Sequence, residues 1–201
     1  MIFIIVIILL TVGLIILIIV KPSMTDNKGG KILVFFGFFI LPGLAIVLGA
    51  SSHFESSKST EFCLSCHVME PYGKSLRIDD QSYLPAKHFQ NNLIPRKSAC
   101  YTCHTNYTMF GDVQSKLRGL RHVYINYLGK IPEKLKLYTP YDKRECLHCH
   151  NGSRAFMENP VHEGILGDIT SGTLSCLECH TQIHGIDELD NLKFWQSEAG
   201  K

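Results

Sequence analysis

The chain has 201 residues, 45% of them hydrophobic, and its 20 lysines and arginines against 18 aspartates and glutamates leave a formal net charge of +2 at pH 7. So small an excess creates no field for a polyanion, and nucleic acid is excluded as a partner.

Two uncharged apolar runs come first, Ile2 to Val20 and Ile32 to Ala50, each of 19 residues. At about 1.5 Å per residue, each reaches as a helix across a hydrocarbon core of roughly 30 Å. The connector, Lys21 to Lys31, holds three lysines against one aspartate, with the turn formers Pro22, Asn27, Gly29 and Gly30. Short lysine-rich loops stay in the cytoplasm, so residues 1–50 are expected to anchor the chain in the lipid membrane with both ends of a hairpin facing outward. A cleaved signal peptide competes for the first run. Against it, no positive charge precedes Ile2, the apolar stretch exceeds a signal core, and no Ala-x-Ala-like site follows. A single uncleaved span is the remaining alternative to the hairpin. Pro42 and Gly43 are expected to kink the second span or loosen its packing.

Residues 51–186 contain Cys-x-x-Cys-His four times: Cys63-Leu64-Ser65-Cys66-His67, Cys100-Tyr101-Thr102-Cys103-His104, Cys146-Leu147-His148-Cys149-His150 and Cys176-Leu177-Glu178-Cys179-His180. Every cysteine of the chain belongs to one of them. Two thiols at this spacing reach the two vinyl groups of one porphyrin, and the next histidine lies under the iron as an axial ligand. Structural zinc would combine two cysteine pairs in one tetrahedron and needs no histidine after each. A redox dithiol occurs once, beside a strand-helix unit, and a disulfide scaffold leaves the histidines unexplained. Four covalently bound c-type haems are therefore expected on Cys63, Cys66, Cys100, Cys103, Cys146, Cys149, Cys176 and Cys179, with His67, His104, His150 and His180 on the irons. Such haem is attached outside the cytoplasmic membrane, the side that the lysine loop also selects, so the localisation expected is the bacterial inner membrane with the haem domain in the periplasm.

About 150 residues follow Ala50, which is little protein for four porphyrins. The expected fold is mostly α with much irregular structure: an N-terminal transmembrane helix or hairpin plus a compact tetrahaem cytochrome c domain whose apolar core is largely porphyrin. One segment has full helical signals, Asp112 to Leu128. Asp112 reads as its N-cap, Val113, Leu117, Leu120, Tyr124 and Leu128 repeat at helical spacing, and Gly129 and Pro132 end it. The stripe reads as ordinary packing; His122, nearly opposite, is either solvated or a ligand to a haem on that side. Residues 187–201 read as a polar tail carrying Asp187, Glu188 and Asp190.

Besides the four histidines that close the motifs there are six more: His53, His88, His122, His148, His162 and His184. A second imidazole gives six-coordinate iron suited to electron transfer, whereas an open position suits substrate chemistry. His162 and His184 flank the fourth motif, well placed for a neighbouring haem. His148, pinned inside the third motif, reads as exposed, and His53 borders the membrane. Met69, two residues beyond His67, is either a thioether ligand that raises the potential of that iron or a filler beside the porphyrin.

Three runs resemble one family: Phe62-Cys63-Leu64-Ser65-Cys66-His67-Val68-Met69 after an apolar helix, Arg144-Glu145-Cys146-Leu147-His148-Cys149-His150-Asn151, and Cys176-Leu177-Glu178-Cys179-His180-Thr181-Gln182-Ile183-His184. Over residues 32–186 the chain is similar to the NapC/NirT/NrfH family of membrane-anchored tetrahaem quinol dehydrogenases. The resemblance implies that menaquinol is oxidised beside the first haem, at Cys63, Cys66, His67 and Met69. Electrons then pass along the haems to a periplasmic terminal reductase, such as a multihaem nitrite reductase, in anaerobic respiration. It implies Asp112 and Lys116 as the acid and lysine of the quinol pocket, and His88, His122, His162 and His184 as distal ligands. A carboxylate such as Asp112 near the quinol hydroxyl would take its proton.

The leading apolar run departs from the family's single-helix anchor. It keeps open an alternative, a relay subunit of a larger membrane complex that never binds quinol. A terminal reductase is disfavoured, because it wants an open iron, often in a Cys-x-x-Cys-Lys motif, and all four motifs here end in histidine.

Overall fold

A run of Ile, Leu and Val offers the backbone no polar partner but itself, and the first segment accordingly forms one helix, α1 (Ile2–Val20). The structure, a computed structural model, describes residues 2–132, 134–135, 137 and 141–196. After α1, Pro22 opens a short turn, and the Asn27 side chain accepts a hydrogen bond from the Gly30 N–H at 2.7 Å to start the next helix. That helix, α2 (Lys28–Ser56), extends past the expected 32–50 at both ends. Pro42 has no N–H for the Phe38 carbonyl, and the chain widens just ahead of it. Phe36–Ile40 is a π turn closed by the Leu41 N–H on the Phe36 carbonyl. The irregularity expected at Pro42 and Gly43 thus falls one turn earlier. Gly37 lets α1 and α2 approach, since a Cβ there would lie 2.5 Å from Leu14 Cδ2. Phe3, Leu9, Ile19, Phe39 and Ile46 stay exposed, as in a helix pair made for lipid.

Residues 58–201 form a second unit, described by itself. Its helices are α3 (Thr60–Leu64), α4 (Glu70–Ser75), α5 (Leu84–Gln90), α6 (Ala99–His104), α7 (Gly111–Leu128), α8 (Lys143–His150), α9 (Arg154–Met157), α10 (Pro160–Ser171) and α11 (Cys176–Cys179). Among the described residues there is no strand, only an isolated antiparallel bridge between Ile78 and Phe194. Start and stop residues keep the helices short. Pro71, Pro85 and Pro160 sit in first turns, where their fixed φ is tolerated. Gly172, at φ 89°, ends α10, whose last carbonyls at Ile169 and Thr170 accept from the Lys143 ammonium.

The apolar core is small. Ile78, Tyr83 and Ala86 are buried together, and Leu189 and Leu192 pack onto them. The segment read as a polar tail is therefore part of the body over its described stretch. The Asp79 N–H donates to the Lys193 carbonyl at 2.8 Å and the Trp195 N–H to the Arg77 carbonyl at 2.7 Å. Leu189 and Leu192 lie among and just after the acids, and packing takes them partly out of water. Residues 197–201 of the expected tail lie outside the described residues.

α7 starts one residue before its expected N-cap: Phe110 holds that position and Asp112 lies in the first turn, where a carboxylate faces the positive helix end. Its apolar stripe, expected to pack, is exposed along its length.

Gly185, at φ 53°, lies under the buried Tyr83 ring, and a Cβ there would be 2.4 Å from Tyr83 Cε1. Gly185→Ala is expected to destabilise the protein by about 1–3 kcal/mol. A lower thermal midpoint, followed by circular dichroism of the detergent-solubilised chain, is the expected result; an unchanged midpoint would contradict this packing.

Candidate functional site

Each Cys-x-x-Cys-His motif is built on a helical turn: α3 carries Cys63, α6 ends at His104, α8 ends at His150, and α11 spans Cys176 and Cys179. Helical spacing brings residues i and i+3 to one face, which lets the two thiols of a motif serve one porphyrin edge. Three of the four turns are started by side-chain caps. Ser59 accepts from the Phe62 N–H, Asp142 from the Arg144 N–H, and Ser175 with Glu178 forms a capping box. None of the eight cysteines is in a disulfide.

The motifs adjoin in sequence order. Cys63 and Cys100 share a hydrogen bond that makes Cys63 the more acidic thiol, pulled down to about 7, and pushes Cys100 up. Cys103 lies close enough to Cys149 for the two to repel as thiolates, and burial with the nearby Cys176 pushes Cys146 up to about 12. The first motif thus borders the second, the second the third, and the third the fourth.

A histidine nitrogen sits about 2 Å from a first-row metal ion and its ring centre roughly 1 Å further, so two imidazoles on opposite sides of one iron have centroids about 6 Å apart. Three ring pairs have this separation: His104 with His184 at 6.1 Å, His150 with His88 at 6.0 Å, and His180 with His162 at 6.2 Å. In each, one ring follows a motif and the other comes from outside the motifs. Every outside ring is held through Nδ1: His88 by the Leu84 carbonyl at 2.8 Å, His162 by the Phe156 carbonyl at 3.3 Å, and His184 by the Ser75 hydroxyl at 2.7 Å. Nε2 is left for a metal, the usual orientation of a ligating histidine. Burial pushes His184 down to about 4. It also pushes down His150 and His104, the latter accessible to water yet closely surrounded by protein. These rings are therefore neutral at pH 7, the form that binds a metal. The residues present fit haem iron.

The other expected ligands are arranged differently. His67 and Met69 share one 3-10 turn, closed by the Met69 N–H on the Cys66 carbonyl at 2.9 Å, and neither belongs to the three pairs. His122, on α7, is likewise in none of them, and desolvation together with Arg121 pushes it down. His148 is exposed as expected but stacks face to face on Tyr107, with centroids 3.7 Å apart. His53 is exposed near the end of α2.

Asp112 and Lys116 lie in one charged cluster. Lys58 Nζ contacts Asp112 Oδ2 at 3.0 Å, and the Thr105 hydroxyl donates to Asp112 Oδ1 at 3.3 Å. The Lys116 ammonium stands 4.5 Å from the centre of the Tyr101 ring and that of Lys58 5.6 Å. The Tyr101 hydroxyl is buried without a well-formed hydrogen bond, yet close enough to Asp112 to help stabilise the carboxylate. Lys58 first, and Tyr101 after it, hold Asp112 below the usual carboxylate range. Lys116 also lowers Cys63, so the cluster borders the first motif. Sequence reasoning missed Lys58, Thr105 and Tyr101. Tyr101 was visible inside the second motif, but Lys58 is 54 residues from the carboxylate it pairs with.

The family model "NapC/NirT cytochrome c family, N-terminal region" matches residues 24–188. The chain is 22% identical over 169 residues to the cytochrome c-type protein NapC of Haemophilus influenzae, covering 75% of this chain and 80% of that protein. It is 22% identical over 159 residues to the NapC protein of Escherichia coli K12, covering 70% and 75%. To the cytochrome c-type protein TorC of the same organism it is 26% identical over 161 residues, covering 72% of this chain but 39% of that protein. No solved structure matches the chain at a significant level. Since the match runs from the loop between the two apolar helices to beyond the fourth haem motif, the chain belongs to the NapC/NirT cytochrome c family.

Proposed function

We propose that this protein is a membrane-anchored tetrahaem cytochrome c of the bacterial inner membrane that oxidises menaquinol and delivers the electrons to a periplasmic reductase. On this reading, residues 1–50 anchor the chain, the Lys21–Lys31 loop is cytoplasmic, and residues 51–186 hold the haems on the periplasmic side. The haems, when bound, supply one-electron transfer. His104 and His184 would hold the second iron, His150 and His88 the third, and His180 and His162 the fourth; their separations of 6.0–6.2 Å support this assignment. For the first, His67 and Met69, two residues apart on one 3-10 turn, are proposed as competing ligands.

The observation that carries the quinol reading is the ionised Asp112, buttressed by Lys58 and Thr105 beside the first motif. Quinol loses two protons with its two electrons, so its site needs an acceptor that is unprotonated at working pH. Asp112 meets that need as an ordinary carboxylate does near neutral pH; Lys58 extends its ionised range to lower pH, and Thr105 fixes the direction of one oxygen. Lys116, over the Tyr101 ring, adds positive charge where negative charge develops.

Anaerobic mixing of the solubilised protein with a reduced menaquinol analogue is expected to reduce the haems, with inhibition by a quinol-site inhibitor. Haems that dithionite reduces and quinol does not would make the protein a relay instead. Asp112→Asn is expected to slow quinol oxidation about a hundredfold with haem content intact. Lys58→Met removes the main cause of the low Asp112 pKa, so that pKa rises, and the acid limb of the pH–rate profile moves to higher pH. An unmoved limb would remove Asp112 as the acceptor. Met69→Leu is expected to change the spectrum and potential of one haem; if every haem keeps both, Met69 is a packing residue.

A further inference from the structure

α7 is amphipathic in the opposite sense to a helix of a soluble domain. Val113, Leu117, Leu120, Tyr124, Tyr127 and Leu128 fall on one arc at 3.6-residue spacing. All six are exposed, Leu117, Tyr124 and Leu128 at 62%, 62% and 76%. The opposite side holds the buried Gly111 and the half-buried Ser115, Gly119 and Ile125. Ser115 ties that side to the body by accepting from the Asn106 N–H at 3.0 Å. His122, itself exposed, falls on that opposite side by helical spacing. The apolar surface continues through Met109 and Phe110 before the helix and Ile131 after it, exposed at 90%, 73% and 52%. A contiguous patch of this kind marks an interaction surface rather than scattered surface residues.

The charges around it point to the occupant. Lys116, Arg118, Arg121 and Lys130 fall between residues 109 and 131, where Asp112 is the one acid. Arg121 stands near one edge of the apolar arc and Lys130 just past its end, both exposed, where long cationic side chains reach polar headgroups while their stems lie on hydrocarbon. Tyrosines on the same arc suit the membrane-water boundary. Protein interfaces, in contrast, are depleted of lysine. The chain itself carries two helices long and apolar enough to cross a bilayer, so lipid is at hand for any lipid-seeking surface it bears. We infer that α7 lies in the membrane interface, with its Val113–Leu128 face in the acyl boundary and its cations on anionic headgroups. The inference is independent of whether Asp112 serves quinol.

Photo-crosslinking tests it. Benzoylphenylalanine is placed at Leu120, at Tyr124 or, for comparison, at Arg118, in full-length holoprotein that retains its haem absorbance. The samples are reconstituted in nanodiscs of phosphatidylglycerol and phosphatidylcholine and irradiated, and adducts are read by mass. The expected result is phospholipid adducts at Leu120 and Tyr124, several-fold above Arg118. The yield is also expected to fall several-fold in phosphatidylcholine alone. Adducts joining Leu120 and Tyr124 to a second copy of the chain would overturn the inference in favour of a protein interface. Absence of lipid adducts at both positions, with a probe at the exposed Ile46 of α2 labelled by lipid, would overturn it in favour of a solvated face.

Discussion

Imidazole pairs about 6 Å apart are the constraint on which the unit from residue 58 onward depends. His88 with His150, His104 with His184, and His162 with His180 join positions that are mostly far apart in the chain, and each outside ring is fixed by a single hydrogen bond at Nδ1. Only Ile78, Tyr83 and Ala86 form a fully buried apolar cluster among the described residues. A core so small contributes little of the burial that stabilises ordinary domains. On the proposed ligation, metal–ligand bonds and porphyrin faces provide the remainder, and binding of the cofactor and folding are coupled.

That arrangement also gives the molecule a direction. The motifs adjoin in the order first, second, third, fourth through their cysteines, and the Asp112 cluster stands beside the first. On the proposed quinol reading, Asp112 is the proton acceptor at one end of this series, where a two-electron, two-proton donor must part its protons from its electrons. The protein's contribution is orientation and charge: cations around Asp112, and burial that holds His104, His150 and His184 neutral.

The covalent part of the site was legible in the sequence because two vinyl groups on one porphyrin dictate the spacing of the thiols. His162 and His184 were legible from their nearness to the fourth motif, although His184 faces the histidine of the second. That pairing depends on Ser75, a residue 109 positions away that no local pattern connects to it. Lys58 escaped notice for the same reason. Periodicity found the stripe of α7 but not what it faces, since a 3.6-residue repeat shows that one side is apolar and is silent on whether protein or lipid covers it. The final segment was misjudged because its acids were counted while Leu189 and Leu192, among and just after them, were not.

Near-infrared magnetic circular dichroism of the fully oxidised holoprotein reads the axial ligands of each iron from its charge-transfer bands. The histidine geometry predicts three irons with two imidazoles each and a fourth with a different ligand set, assigned to the first motif by its response to Met69→Leu. Fewer than three bis-imidazole irons, or an open coordination position at the second, third or fourth motif, would contradict it.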